Sequence, residues 1–184
     1  MAPINNIKMA KNSDFKGIVI YVSLVIAITL LVYYIPSYYF LKSSIATFSS
    51  SILSLLGLFA PIQHIGSHVI LGNYEIIKDC TGIQVIAVFL GLILPLPKGS
   101  WRKKTVSLTI LSALVYISNL FRVILEYWLV ENQILPYSIA HYPLSLIIGI
   151  IGVFFLVLIN NLIIPEFGDY IFSVIKKIKE IIRN

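Results

Sequence analysis

The chain has 184 residues, of which 58% are hydrophobic and 12% charged, and its formal net charge is +6. Soluble domains usually carry about 25% charged residues, so this composition excludes an ordinary water-soluble domain and favours an integral membrane protein. The basic residues flank long apolar runs, which argues against nucleic acid as a partner. The single cysteine, Cys80, excludes an intramolecular disulfide.

The N-terminal part of the chain contains two different helical patterns. Residues 17–35 form an apolar run long enough to span a bilayer, and tyrosines near its end are typical of an interfacial aromatic belt. Residues 43–59 alternate apolar and hydroxyl side chains at helical spacing, which predicts an amphipathic helix. Such a helix lies at the interface, re-enters the membrane, or packs its hydroxyl face on other helices, and the pattern leaves these alternatives open.

The segment before the cysteine is β-prone. Residues 68–71 and 74–77 flank the two-residue turn signal Gly72-Asn73, which predicts a short β-hairpin outside the cytoplasm.

Three more apolar runs follow, at 81–97, 105–125 and 143–164, with a basic loop at 98–104. The tail, 166–184, ends in a basic amphipathic stretch. We therefore predict an all-α integral membrane protein in a single membrane-embedded domain, 1–184. It is expected to have four or more transmembrane helices, an amphipathic or re-entrant helix and the short hairpin.

The basic residues are distributed unevenly about these spans. Positively charged loops stay in the cytoplasm, so the N-terminus, the 98–104 loop and the tail are predicted to lie inside. Those three regions hold eleven of the fourteen lysines and arginines: Lys8, Lys11, Lys16, Lys98, Arg102, Lys103, Lys104, Lys176, Lys177, Lys179 and Arg183. The prediction is a multi-pass plasma-membrane protein in which residues 43–59 do not cross once on their own.

This topology places three chemically capable side chains at the outer face. Cys80 stands at the start of one span, Arg122 in the last outer turn of another, and His141 just before a third. A cysteine at a helix N-terminus is favoured as thiolate, although the neighbouring Asp79 opposes this. An arginine can hold an oxyanion or a carboxylate, and a histidine can transfer protons.

Each of these residues also has a purely structural interpretation. Arg122 can form an ion pair with Glu126 one helical turn later, or it can reach towards the interface. Asn119, one turn before Arg122, and Gln84, one turn after Cys80, can supply hydrogen bonds or polar packing.

A zinc site is a competing use of the histidines. His64 and His68 stand four residues apart, and Cys80 and His141 can complete four ligands. Gly66 between the two histidines argues against the helix that this spacing needs, so no metal or other cofactor is predicted.

Three short motifs occur in a fixed order along the chain. Asp79-Cys80-Thr81-Gly82 resembles the Cys-[Ser/Thr]-Gly signature of the exosortase/archaeosortase family, and Asn119-Leu120-Phe121-Arg122 resembles its Asn-x-x-Arg motif. His141 resembles its third catalytic position, in the branch that uses histidine there. Lys78, two residues before the cysteine, departs from the pattern.

The resemblance implies a membrane cysteine protease or transpeptidase without cofactors. Such an enzyme would cleave the C-terminal sorting signal of surface proteins, which consists of a short motif, a transmembrane helix and a basic tail. It would then transfer the protein to an acceptor, with a membrane lipid as the expected one. Cys80 would be the nucleophile, Arg122 the oxyanion or substrate-positioning group, and His141 the acid and base. Asn119, Gln84, Thr81 and Gly82 would bind substrate or support the site.

Two other functions fit the same composition. A small-molecule-binding subunit of a membrane transporter is equally hydrophobic and of similar length, and a structural assembly factor would use Arg122 and Glu126 as a buried pair. The transporter subunit does not account for Cys80, Arg122 and His141 at one face.

Overall fold

The computed structural model describes residues 4–35 and 38–183, and for 4–15, 178 and 181–183 it describes the backbone alone. The side chains of Lys8, Lys11 and Arg183, which the topology prediction counts, therefore lie outside the described part. The helices are α1 Ile4–Tyr34, α2 Tyr39–Leu55, α3 Ile83–Ile93, α4 Trp101–Glu131, α5 Tyr137–Ile139, α6 Ser145–Ile163 and α7 Pro165–Arg183. A 3-10 turn, Lys78–Thr81, precedes α3, and a π-helical turn, Ala140–Leu144, joins α5 to α6.

Three helical segments in the described part are long and apolar enough to cross a bilayer. They are Lys16–Tyr34, Trp101–Glu131 and Tyr137–Ile163, and they contain or largely overlap the spans predicted over 17–35, 105–125 and 143–164. Most of their side chains face outward, as expected where lipid replaces water.

The fourth predicted span, 81–97, is not confirmed at full length. Helix α3 has 11 residues, hence a length of about 16 Å against a hydrocarbon core of about 30 Å. It starts after Gly82, whose φ of 70° is left-handed, and it ends before Pro95 and Pro97. Proline lacks the backbone N–H that helix continuation requires, so the apolar run is longer than its helix.

Helix α3 runs antiparallel along α1. The Tyr21 hydroxyl donates to the Leu92 carbonyl at 2.8 Å, and the Tyr33 hydroxyl donates to Asp79 at 3.5 Å. Between Asp79 and Leu92 the chain therefore runs back alongside α1 in the opposite direction. Close packing is possible because Gly91 has no side chain, and a Cβ there would lie 2.7 Å from the Val25 carbonyl oxygen.

These contacts define two ends of the helical assembly. At one end, Lys104 is buried and its Nζ donates to the carbonyl groups of Leu94 and Leu96 at 3.1 and 2.5 Å. Lys103 pairs with Glu166 of α7 at 3.6 Å beside it. We call this the Lys104 end, and the opposite one, where α1 meets the 3-10 turn, the Cys80 end.

A small antiparallel sheet lies at the Cys80 end. It consists of β1 Ile62–Ile65, β2 His68–Leu71 and β3 Tyr74–Glu75, in the order β1-β2-β3. Strands β2 and β3 form the predicted hairpin around Gly72, whose φ is 60°. Strand β1 was not predicted, because its side chains are mostly exposed and give no alternating pattern.

Helix α2 packs part of its hydroxyl face on the rest of the protein. Ser49 is fully buried, Ser50 donates to the Ala60 carbonyl at 2.6 Å, and the hydroxyls of Ser44 and Tyr116 are hydrogen-bonded. Phe48 and Leu55, apolar residues of the same helix, are exposed. With 17 residues, α2 is not among the helices long enough to cross.

Candidate active site

The 3-10 turn that carries Cys80 is closed by its neighbour Thr81. The Thr81 hydroxyl donates to the Lys78 carbonyl at 2.6 Å and accepts from the backbone N–H of Ile83 at 3.4 Å. A single hydroxyl thus links the 3-10 turn to the first residue of α3, whose N-cap position is held by Gly82. Thr81 therefore shapes the backbone around Cys80.

Both the backbone conformation and the close packing against α4 require a glycine at position 82. Its φ of 70° lies in the left-handed region, which side chains disfavour. A Cβ at this position would also lie 2.7 Å from Cγ1 of Val115 on α4. Gly82 therefore lets the 3-10 turn approach α4 closely.

Helix α4 holds the same turn through two polar side chains. Asn119 Nδ2 donates to the backbone carbonyl of Cys80, and Arg122 Nη2 donates to that of Asp79 at 3.5 Å. Gln84 Nε2 donates to the Asp79 carbonyl at 3.3 Å from the first turn of α3. The residues of the predicted Asn-x-x-Arg motif therefore meet the backbone of the predicted cysteine motif.

Lys78 anchors the turn to α1. Its Nζ donates to the Tyr33 carbonyl and lies 3.9 Å from the centroid of the Tyr33 ring. The rings of Tyr34 and Tyr38 lie within 6 Å of the same ammonium group, at 5.8 and 5.3 Å. This arrangement is a cation–π contact, so the residue that departs from the family motif has a structural partner.

The thiol of Cys80 is buried, with 6% of the residue exposed. Burial raises the pKa of the Cys80 thiol, while the nearby Arg122 guanidinium lowers it and the carboxylates of Glu126 and Asp79 raise it. The net direction is upward. The helix-start position was expected to favour the thiolate, whereas burial, the largest influence on this pKa, favours the neutral thiol.

Glu126 connects the other two predicted site residues. One carboxylate oxygen, Oε1, lies 3.6 Å from Nε of Arg122, and the other, Oε2, lies 3.1 Å from Nδ1 of His141. The Ser145 hydroxyl also donates to Oε1. All three ionisable side chains are largely shielded, with 13 to 20% of each exposed. The carboxylate therefore orients the arginine and the histidine together.

The imidazole of His141 is also held by stacking. Its ring lies parallel to that of Tyr137, with centroids 5.1 Å apart, and Tyr137 stacks in turn on Tyr74 of β3 at 5.2 Å. His141 lies in the π-helical turn that includes Pro143. Such turns rotate side chains out of α-helical register and are frequent at functional sites.

One small pocket joins the thiol to this network. Cys80, Glu126, His141, Tyr74 and Tyr137 line it together with Leu71, Glu75, Ile76, Val123, Tyr127 and Val130. The structure therefore brings Cys80 and His141 into one pocket, with Glu126 between His141 and Arg122. Arg122 itself lines a neighbouring groove.

The remaining histidines lie elsewhere. His64 in β1 is hydrogen-bonded to the Tyr39 hydroxyl at 3.0 Å, and His68 in β2 pairs with Glu75 at 2.6 Å. In the described part of the chain, no three histidine, cysteine or acidic side chains are close enough to hold a metal ion. The zinc alternative has no support in this geometry, because its two histidines lie on strands with separate partners.

Three residues of this site were not predicted as functional. Glu126 was identified only as a possible structural partner of Arg122, and its bond to His141 joins residues 15 positions apart. Ser145 and Tyr137 gave no signal, because a serine and a tyrosine at a helix start are common. Only the i,i+4 spacing of Arg122 and Glu126 pointed to the network in advance.

The family model described as transmembrane exosortase (Exosortase_EpsH) matches residues 15–158. The matched region includes the second part of α1, all of α2 to α4, the sheet, the Cys80 turn, His141 and most of α6. No curated protein and no solved structure matches the chain. Because the match covers more than half of the chain, this protein belongs to the transmembrane exosortase family.

Proposed function

We propose that this protein is a membrane cysteine transpeptidase in which Cys80 is the nucleophile, His141 the acid and base, and Arg122 the oxyanion or substrate-positioning group. Membership in the exosortase family implies sortase-like transpeptidase chemistry at the level of the family. The observation that carries the residue assignment is the pocket shared by Cys80 and His141, with Glu126 joining His141 to Arg122.

The raised pKa of Cys80 makes a base necessary. Nδ1 of His141 faces Glu126, so a neutral imidazole that donates from Nδ1 keeps Nε2 as an acceptor. Among the described residues Nε2 has no hydrogen-bond partner, and it is the atom proposed to take the thiol proton. This division of roles is that of a triad, with Glu126 as the orienting group.

The proposed reaction has two steps. The thiol sulfur attacks the carbonyl carbon of the scissile peptide bond while its proton passes to His141. His141 then gives that proton to the departing amine, and a thioester to Cys80 remains. In the second step the acceptor's hydroxyl or amine loses a proton to His141, attacks the thioester and releases Cys80 as thiol.

Arg122 is suited to the charge that develops on the carbonyl oxygen. Its positive charge lowers the pKa of the Cys80 thiol, and its Nη2 already donates to the backbone carbonyl of Asp79. Donors fixed before the reaction stabilise an oxyanion without reorganisation at the moment of attack. Asn119, Thr81, Gly82 and Gln84 act in support, because their contacts shape the turn around the thiol.

The proposed location of the site is the outer face of the plasma membrane. Lys98–Lys104 and α7 belong to the Lys104 end, and basic segments stay in the cytoplasm. The Cys80 end would then face outward, towards surface proteins that carry C-terminal sorting signals. A membrane lipid is the acceptor that this position favours, because its headgroups lie at the same depth.

Co-expression with a tagged surface protein that has a C-terminal sorting signal tests the proposal. Cys80→Ala, Arg122→Ala and His141→Ala should each abolish processing, seen as loss of the shortened product on a gel. Arg102→Ala, at the Lys104 end, is the matched control and should process normally. Cleavage that persists in Cys80→Ala at an unchanged rate would contradict the enzyme and favour a binding subunit.

A further inference from the structure

A second concave surface neighbours the thiol pocket at the Arg122–Glu126 pair, since Glu126 lines the pocket and Arg122 lines the second surface. It is an open groove formed by α3, α4, α6 and the turn before α3. Along α6 its lining runs from Ser145 to Leu156, which corresponds to about 16 Å of helix, or half of a bilayer core.

The polarity of the groove changes along its length. Five of its six polar lining residues gather near the Cys80 end, namely Asp79, Gln84, Asn119, Arg122 and Ser145, and the sixth, Ser118, lies beside Gly152. The rest is apolar or small, with Val85, Val115, Val153 and Leu156 among its walls. An occupant must therefore be apolar inside the membrane and polar where it reaches the Cys80 turn.

Two buried polar atoms at the polar end have no partner within the described chain. Nε of Arg122 makes no hydrogen bond, because Glu126 at 3.6 Å is too distant for one, and Oε1 of Gln84 accepts none. One atom is a donor and the other an acceptor. A peptide backbone offers both complementary groups, whereas a phosphate offers acceptors alone.

The apolar part of the groove contains two glycines, Gly149 and Gly152, and the described residues leave the volume beside them open. A Cβ on Gly149 would meet nothing within 4 Å, and one on Gly152 would meet only the Ser118 hydroxyl, at 3.9 Å. At Gly91, in contrast, α1 already occupies the position that a Cβ would take, at its contact with Val25. Small residues let two transmembrane helices approach closely, an advantage that a flexible acyl chain does not need.

We propose that a single apolar transmembrane helix of the protein substrate docks in this groove, with its outer end at Arg122 and Gln84. The inference rests on the proposed function and deepens it by naming the docking surface. A chain that leaves the groove at Arg122 would end beside the pocket of Cys80, because Glu126 pairs with Arg122 and lines that pocket. The groove would thereby set the distance between the substrate's membrane helix and its scissile bond.

Photocrosslinking in phosphatidylcholine vesicles tests the docking surface. The protein carries Cys80→Ala and benzoylphenylalanine at Leu146 or Ile150, which line the groove, or at Ile147 or Ile151, which are exposed on α6 outside it. The probe is a synthetic leucine- and alanine-rich helix of about 20 residues with a lysine tail. Adducts should form at the groove positions about fivefold more than at the other two.

A large side chain placed in the groove should remove the preference for crosslinking at the groove positions. Gly149→Leu is expected to reduce the adducts at Leu146 and Ile150 about fivefold, whereas Gly17→Leu, on α1 and equally open, should leave them unchanged. Equal labelling of both faces, or adducts with phospholipid alone, would overturn the docking proposal. Because the probe has no cleavable motif and the thiol is absent, this result is independent of whether the protein proves to be a transpeptidase.

Discussion

Oε2 of Glu126 lies 3.1 Å from Nδ1 of His141, and this contact joins the last turns of α4 to the π-helical turn before α6. The two residues are 15 positions apart in the chain and come from different helices. The carboxylate fixes which imidazole nitrogen carries the proton, so the second nitrogen can serve as a base. Catalysis should therefore depend on a residue that never touches the thiol.

Glu126→Gln should reduce processing of a sorting-signal reporter about 100-fold while the protein still folds, because a misoriented acid–base group costs about this factor. Initial rates of reporter cleavage in membranes measure the effect. Glu166→Gln removes a carboxylate with a lysine partner at the Lys104 end and serves as the control. Equal rates for Glu126→Gln and the unchanged protein would show that the contact between Glu126 and His141 is only structural.

The reactivity of Cys80 should depend on pH in a defined direction. Burial raises the pKa of the thiol, so the thiolate fraction at a given pH is smaller than for an exposed cysteine. Alkylation by iodoacetamide should accordingly rise with pH through a midpoint above the ordinary cysteine value. Mass spectrometry of the purified protein at successive pH values gives this midpoint.

Arg122→Ala should move that midpoint further upward, because the guanidinium stabilises the thiolate. A shift of one pKa unit corresponds to a tenfold, or about 1.4 kcal/mol, change in the ionisation equilibrium. The midpoint is a better measure than the rate, since the smaller side chain also admits reagent more easily. A midpoint that falls in Arg122→Ala would contradict the assigned direction, and Arg102→Ala should leave it unmoved.

Gly82→Ala should destabilise the protein by about 1–3 kcal/mol through its left-handed φ and the contact with Val115. The thermal unfolding midpoint in detergent measures this loss. Val115→Ala in the same chain should restore part of it, because it removes the crowding but not the backbone strain. Gly17→Ala meets no atom within 4 Å and should unfold like the unchanged protein.

The spans and the hairpin turn were predictable because their signals are local. Long apolar runs identify α1, α4 and α6, and Gly72-Asn73 identifies the turn between β2 and β3. The length of helix α3 was overestimated, because hydropathy counts apolar residues only. It takes no account of the left-handed Gly82 and the prolines that bound the helix. Strand β1 was missed because exposed strands carry no periodic signal.

The sequence by itself determined that this is a membrane protein with long apolar segments, and that a cysteine, an arginine and a histidine stand near the ends of three of them. Hydropathy is a property of consecutive residues, so it can be read directly from the sequence. The tertiary structure decided the rest: the buried thiol, the carboxylate of Glu126 between Arg122 and His141, and the groove beside them. These features depend on contacts between residues far apart in the chain, and such contacts exist only after the helices have packed.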